Sequence, residues 1–307
     1  MIEAENLTKK FDDFTAVDRI DLNVPSGQVL ALLGPNGAGK TTTVRMLTSI
    51  LRPTQGWARV AGYDVVRQAD QVRASVGVLT ENHGLYGRMN AEEYLLFFAQ
   101  LYRLEPKQAR VRFGQMLDQF GLGWARRKRL GEFSKGMRQK LALIRALLHD
   151  PSVLLLDEPT SAMDPESART VRDVIQSLRT SARTIVLCTH NLTEAEELAD
   201  QIAIIRNGRI IFNDSPANLK LRLLGPVEYE ARLASSVSGW LPNLPAGARL
   251  VEKSDRAIRF QIEQPEITNP VLIRQLLDQH INVISFQEVP RSLEQAYLQA
   301  ISQNESR

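Results

Sequence analysis

The sequence is poor in cysteine and in long apolar stretches. It contains a single cysteine, Cys188, so no disulfide can form within the chain, and such a chain is typical of a reducing compartment. No segment approaches the roughly 20 consecutive apolar residues that a membrane-spanning helix needs. The first residues, MIEAENLTKKF, lack the apolar core of a signal peptide. We therefore expect a cytosolic chain that does not itself cross a membrane.

The sequence also has little excess of one charge. Its 38 Lys and Arg residues against 35 Asp and Glu residues give a net charge of only +3, which does not by itself indicate a nucleic-acid partner. Apolar residues make up 43% of the chain and charged residues 24%, as in ordinary globular proteins. Because 307 residues exceed one typical hydrophobic core, we expect either a large domain with a smaller one or two domains.

Short apolar runs alternate with helical patterns over residues 1–215. The runs VLALL, SVLLLDEPT, TIVLCTH and QIAIIRNGRIIF read as strands. Apolar strands between helices predict an α/β fold, in which a parallel sheet is covered by helices on both faces. Residues 83–150 are mostly helical in pattern, which predicts a helical subdomain inserted in this domain.

The last part of the chain has a different sequence pattern and contains no strong motif. RAIRFQIE and NVISFQE resemble strands there, whereas NPVLIRQLLDQH and SLEQAYLQAI resemble helices. We therefore predict an α/β domain over residues 1–224 and a small accessory α+β domain over residues 225–307.

The segment GPNGAGKTT matches the phosphate-binding pattern G-x-x-x-x-G-K-[ST] and lies between a predicted strand and a predicted helix. Its glycines let backbone N–H groups close around phosphate oxygens, and the start of the next helix adds the positive end of its dipole. Lys40 is expected to neutralise the β- and γ-phosphate charge, and the Thr41 hydroxyl to bind Mg²⁺. The predicted phosphate site comprises Gly34, Pro35, Asn36, Gly37, Ala38, Gly39, Lys40, Thr41 and Thr42.

The run VLLLDEPT ends a predicted buried strand on two carboxylates. Asp157 emerges at the carboxyl end of the strand, where it can hold Mg²⁺ through water, and Glu158 follows at the crevice. Because adjacent strand residues point in opposite directions, the two acids suit different roles. We predict that Asp157 faces the metal and that Glu158 faces an attacking water as the general base.

Four segments in this order, GPNGAGKT, FSKGMRQ, LLLDEPTSAMD and CTH, resemble the nucleotide-binding subunit of ATP-binding cassette (ABC) transporters. The resemblance extends over residues 1–220 and implies a P-loop NTPase cassette that binds ATP and Mg²⁺. It also implies that two copies close head to tail. Each ATP would then lie between the phosphate loop of one copy and the FSKGM segment of the other.

The FSKGM segment opens a predicted helix, which Ser134 can cap and where Gly136 lets another backbone approach closely. Exposed N–H groups at such a helix start form an anion site, and the resemblance implies that the anion is the second copy's γ-phosphate. The family's usual motif is Leu-Ser-Gly-Gly-Gln, so Phe133, Lys135 and Met137 depart from it.

The resemblance assigns roles to four further residues. His190 corresponds to the switch histidine that contacts the γ-phosphate, and Asp164 to the loop that crosses the dimer interface. Phe11 corresponds to the aromatic residue that stacks on adenine, although alone it would be read as a core phenylalanine. Glu81 stands where many cassettes have a glutamine that touches Mg²⁺ and the membrane partner. Its carboxylate is a candidate metal ligand that adds negative charge near the phosphates.

LTENHGLYGRM and the tail SLEQAYLQAI are similar to the cassettes of ABC-2-type exporters of the drug-resistance and multidrug efflux branch. This implies an ATPase homodimer beneath transmembrane permease subunits at the inner face of the cell membrane. Two alternatives stay open. The first is a soluble cassette protein in regulation or translation, which usually has two cassettes or a long coiled-coil insertion; the sequence shows neither feature. The second is a phosphate-loop GTPase or small-molecule kinase, which is disfavoured because the sequence has no Asn-Lys-x-Asp motif and because the FSKGM segment would have no explanation.

Overall fold

The computed structural model describes residues 1–80, 84–161, 163–179, 182–236 and 243–303. It divides into two compact units, Met1–Pro216 and Ala217–Arg307, which we call the first unit and the second unit. Within the described residues, no helix is both long and apolar enough to span a membrane.

Most of the described chain in the first unit is regular secondary structure. Its strands are β1 (Ile2–Phe11), β2 (Phe14–Val24), β3 (Val29–Leu33), β4 (Gln55–Val60), β5 (Tyr63–Asp64), β6 (Val76–Leu79), β7 (Val153–Asp157), β8 (Thr184–Thr189), β9 (Gln201–Arg206) and β10 (Arg209–Asp214). Its helices are α1 (Lys40–Leu47), α2 (Ala69–Ser75), α3 (Ala91–Leu101), α4 (Pro106–Gln119), α5 (Lys135–Leu147), α6 (Pro165–Ser177) and α7 (Leu192–Leu198), and α8 (Pro216–Leu224) begins at its end.

A mixed sheet forms the centre of the first unit, in the order β10-β9-β3-β8-β7-β6. Adjacent strands from β9 to β6 pair in parallel, and only β10 pairs with its neighbour in the antiparallel direction. Along β7, Leu154 and Leu156 pack into one hydrophobic core, whereas Val153 and Leu155 pack into another. Both faces of the sheet are therefore covered, which is why its strands read as continuous apolar runs. The predicted α/β fold is confirmed.

A second sheet in this unit was not predicted. It is antiparallel, in the order β2-β1-β4-β5. Its strands alternate buried and exposed residues with several irregularities in register. The apolar signal per strand is therefore much weaker than in the central sheet. β1 and β2 form a hairpin, and their last paired residues, Phe11 and Phe14, face each other across its turn.

Helices α3, α4 and α5 occupy the segment with the predicted helical pattern, and they share a core that includes Tyr94, Phe113 and Leu141. Helix α5 also lies against strand β6. A Cβ on Gly77 of that strand would stand 2.2 Å from the carbonyl oxygen of Ala146 and 2.8 Å from Leu154 Cδ2. Only glycine allows this approach, which seats α5 beside the central sheet.

The second unit is an α+β structure. Its strands are β11 (Val227–Leu233), β12 (Ala248–Lys253), β13 (Ala257–Ile262) and β14 (Val283–Glu288), and its helices are α9 (Pro265–Asp278) and α10 (Leu293–Gln303). The strands form an antiparallel sheet in the order β12-β13-β11-β14. Its core joins sheet residues such as Ile258 and Phe260 to Leu272 and Leu276 of α9.

The close approach at Gly77 gives a first prediction. Gly77→Ala should lower the thermal midpoint of the first unit by roughly 4–8 °C, because the methyl group meets a backbone carbonyl that cannot move without displacing α5. Gly114→Ala in α4 is the control, since its new methyl group would meet only the end of the Arg126 side chain at 3.4 Å and alanine favours the helix. Equal thermal midpoints for the two variants would contradict this account of how α5 is seated.

Candidate functional site

The functional residues collect where three neighbouring parallel strands end. β8 lies between β3 and β7, with Leu33 opposite Thr189 and Asp157 opposite Cys188. The phosphate loop follows β3, the carboxylate pair ends β7, and His190 follows β8. Because parallel strands place their carboxyl ends at one edge, these three segments meet in one crevice.

The phosphate loop is held by its glycines and by Lys40. Gly39 has φ of +110°, and a Cβ there would lie 2.7 Å from the carbonyl oxygen of Ala16. Within the described part of the chain, no side chain caps the following helix α1, so its first N–H groups are left for an anion bound in the loop. Lys40 is 7% exposed, and its Nζ donates to the carbonyl oxygens of Gly34 at 2.6 Å and Pro35 at 3.2 Å.

Thr41 and Asp157 join the loop to strand β7. The Thr41 hydroxyl donates a hydrogen bond of 3.0 Å to Oδ2 of Asp157, and Asp157 is only 4% exposed. A hydroxyl and a carboxylate oxygen at this separation are the hard oxygen ligands that Mg²⁺ prefers. The two residues therefore fit a shared magnesium site beside the phosphate loop.

Glu158 has an unusual backbone and a defined side-chain partner. Its φ is +52°, in the left-handed region that non-glycine residues seldom adopt. Its N–H donates to the carbonyl oxygen of Cys188 at 2.8 Å. Its Oε1 lies 2.7 Å from Nδ1 of His190, whose side chain is 68% exposed. The pair thus stands at the mouth of the crevice, where a bound phosphate could reach both groups.

A cleft of about 530 Å³ opens at this edge of the sheet. Its lining includes Pro35, Asn36, Gly37, Ala38, Gly39, Lys40, Thr41, Thr42, Asp157, Glu158 and His190, together with Phe14, Ala16, Lys135 and Ser161. Most of the residues predicted from the phosphate loop and the carboxylate pair are therefore brought together. Five predicted site residues among those described do not belong to this lining: Phe11, Gly34, Ser134, Gly136 and Asp164.

The aromatic residue beside the cleft is Phe14. It is 63% exposed and lines the cleft, whereas Phe11, its partner across the hairpin, lies under the ammonium group of Lys9 at 4.9 Å from the ring centroid. Stacking of Phe11 on adenine stays a prediction. Phe14 was missed because the hairpin that brings it to the cleft was not foreseen.

Ser134, Gly136 and Asp164 lie at two adjacent helix starts. Ser134 is the N-cap of α5, as predicted, and its Oγ accepts from the Met137 N–H at 3.2 Å. Asp164 is the N-cap of α6, and its hydrogen bond from the Ser167 N–H (2.9 Å) lowers the pKa of its carboxyl group. A Cβ on Gly136 would stand 3.8 Å from Met163. Glu81 lies outside the described residues.

A buried acid behind the site was not predicted. Glu194 of α7 is 1% exposed, and its carboxylate accepts hydrogen bonds from the hydroxyl groups of Thr160 (2.9 Å) and Thr189 (2.8 Å). It therefore ties the turn that follows Glu158 to the strand end that precedes His190. Burial raises the pKa of the Glu194 carboxyl group. Nothing in the sequence distinguishes this glutamate from its neighbours Glu196 and Glu197, which are not buried.

Comparisons with known proteins show the family to which this chain belongs. The model of the ABC transporter family matches residues 17–161. The daunorubicin/doxorubicin resistance ATP-binding protein DrrA of Streptomyces peucetius is 37% identical over 302 residues, which is 97% of this chain and 91% of DrrA. The ABC transporter ATP-binding protein NatA of Bacillus subtilis is 39% identical over 224 residues, which is 71% of this chain and 91% of NatA.

A solved ATP-binding subunit of an ABC transporter superposes with a TM-score of 0.69 at 26% identity, over 73% of this chain and 94% of that subunit. The chain belongs to the ABC transporter family, as an ATP-binding ATPase subunit. The predicted transporter ATPase is thereby confirmed, and the non-transport cassette, GTPase and kinase alternatives are set aside.

Glu194 gives a prediction of pH dependence. Its folded pKa lies above its ordinary value of 4.5, so its contribution to folding stability is fully present below pH 4.5 and is lost as the pH rises through the folded pKa. The free energy of unfolding of the wild type should therefore fall relative to that of Glu194→Gln as the pH rises from 4.5. Urea unfolding at several pH values measures this difference, and a difference that does not vary with pH would contradict the assignment.

Proposed function

We propose that ATP binds between the phosphate loop of one copy of this chain and the start of α5 in a second copy. Hydrolysis then drives export through separate transmembrane permease subunits at the inner face of the cell membrane. The observation that carries this proposal is the convergence in one cleft of two contacts, Thr41 with Asp157 and Glu158 with His190.

The phosphate loop supplies charge and backbone donors to the nucleotide. Lys40, hydrogen-bonded to carbonyl groups of the loop, would neutralise the β- and γ-phosphate oxygens of a nucleotide held there. Thr41 and Asp157 would hold Mg²⁺, directly or through water. When bound, Mg²⁺ neutralises phosphate charge that builds up as the terminal bond breaks.

Glu158 is the proposed general base. Its carboxylate accepts a proton as a water oxygen bonds to the γ-phosphorus and the bond from that phosphorus to the ADP oxygen breaks. The products are ADP and inorganic phosphate, and the proton passes from Glu158 to phosphate or solvent. His190, bonded to Glu158 Oε1 through Nδ1, keeps the base aimed and has its other nitrogen available to the γ-phosphate.

The predicted site residues that do not line the cleft support the proposal that a second copy completes the ATP site. Ser134, Gly136 and Asp164 resemble family residues that act across a dimer interface, and none of them lines this chain's own cleft. Ser134 and Asp164 are both exposed, so a second copy can reach them. The start of α5 offers backbone N–H groups and a positive dipole end to an anion.

The catalytic base gives the next prediction. Glu158→Gln should keep ATP binding and lower turnover at least about a hundredfold, because only proton abstraction is removed. It should also accumulate an ATP-bound dimer, which sizing chromatography detects. Glu166→Gln, an exposed acid in the first turn of α6, is the control and should keep full turnover. Near-normal turnover of Glu158→Gln would refute its role as the base.

Mixing two inactive variants tests the composite site. Ser134→Arg should block closure on the second copy's ATP, and Lys40→Ala should remove the counter-charge within its own phosphate loop. Each homodimer should be inactive. A mixed dimer has one site with both defects and one with neither, so single-turnover hydrolysis should reappear in the mixture. Folded proteins that bind ATP but show neither mixed dimers nor hydrolysis would exclude action of Ser134 across an interface.

A further inference from the structure

Gln139 is a buried polar residue in α5 that the proposed mechanism has not used. It is the fifth residue of the helix and is only 2% exposed. A buried amide costs free energy unless its polar atoms find partners. Its Nε2 donates a hydrogen bond of 2.5 Å to the carbonyl oxygen of Glu158. The side chain therefore joins the helical part of the first unit to the backbone of the proposed base.

The backbone of Glu158 needs such restraints. A left-handed conformation costs a non-glycine residue on the order of 1–3 kcal/mol and persists only where neighbouring groups enforce it. The Glu158 N–H is bonded to the Cys188 carbonyl, and the Glu158 carbonyl also accepts from the Ser161 N–H at 3.2 Å. Those two partners are backbone groups of the adjacent strand and the same turn. Gln139, by contrast, is a restraint from helix α5.

The direction of the Glu158 carboxylate depends on this backbone. Rotation of φ or ψ at Glu158 would swing the side chain and break the 2.7 Å contact between Oε1 and His190 Nδ1. A shift of about 1 Å in a catalytic group can cost as much as about a hundredfold in rate. Gln139 touches neither ATP nor water in the proposed mechanism, so any effect it has on hydrolysis must pass through Glu158.

Gln139 lies on the same rigid helix as the residue proposed to meet the second copy. Ser134 caps α5, and Gln139 follows five positions later, about 7.5 Å along the helix axis. A displacement of the helix start therefore moves the Gln139 amide with it. The hydrogen bond to Glu158 passes this displacement to the base of the same chain.

We propose that Gln139 is a positioning residue for Glu158, and that it couples closure of α5 on the second copy's ATP to the general base of its own chain. This inference rests on the proposed function. It adds a link between the two ATP sites: the helix that completes one site also aligns the base of the other.

Gln139→Met tests the link, because methionine keeps the length and volume of the side chain and removes the donor. We expect kcat to fall between about tenfold and a hundredfold, with KM and ATP affinity within about twofold of the wild type. A purely structural role would instead lower thermal stability and ATP affinity together. Gln119→Met, the same substitution at the exposed end of α4, is the control and should keep the wild-type kcat.

A double-mutant cycle separates this inference from the proposed function. If Gln139 acts through Glu158, adding Gln139→Met to Glu158→Gln should lower the residual turnover no further. The double variant should still form the ATP-bound dimer. Failure of Glu158→Gln itself to lose turnover would count against the proposed function, not against the hydrogen bond.

Two results would overturn the inference while leaving the proposed function intact. One is a kcat of Gln139→Met within about twofold of the wild type while Glu158→Gln is inactive. The other is a further, multiplicative loss of turnover in the double variant.

If Gln139→Met does not fold, the same cycle is run with Gln139→Asn, which keeps the amide but draws its donor back by about 1.5 Å. Full turnover of that variant would likewise refute the inference.

Discussion

The pairing of β8 between β3 and β7 decides which side chains of this protein can meet. Each of these strands is fully buried, so a one-residue slip in register would exchange the side chains that pack in the two cores on either face of the sheet. With the register fixed, Leu33, Asp157 and Thr189 end at one edge. The phosphate loop, the two carboxylates and His190 are then neighbours, although they are far apart in the chain.

Buried polar contacts behind this edge hold the reacting groups in place. Glu194 connects the turn after β7 to the end of β8 through Thr160 and Thr189, and Gln139 holds the carbonyl of Glu158. Buried polar groups are costly when unpaired, so such contacts resist displacement. The strained backbone of Glu158 persists within this frame. In the proposed mechanism, stability and catalysis therefore depend on the same hydrogen bonds.

The features predictable from sequence are those with a strong local pattern. The phosphate loop, Asp157, Glu158 and the apolar strands follow from spacing and burial, as does the Ser134 cap. The antiparallel sheet of the first unit was missed because its strands are half exposed. Strand β11, VEYEARL, was missed because charged residues interrupt its apolar residues. Phe14, Gln139 and Glu194 depend on contacts between residues distant in sequence, which periodicity cannot show. No pattern marks a glutamine as the partner of a backbone carbonyl.

The central claim is that the ATP site is complete only when a second copy supplies the start of its α5. Turnover per chain at saturating ATP, measured over about a thousandfold range of protein concentration, tests this most directly, because dimerisation follows mass action. The account predicts constant turnover per chain at high concentration and a fall in proportion to concentration once dimers dissociate. Turnover per chain that stays constant down to the lowest concentration would show that one copy suffices and would contradict the account.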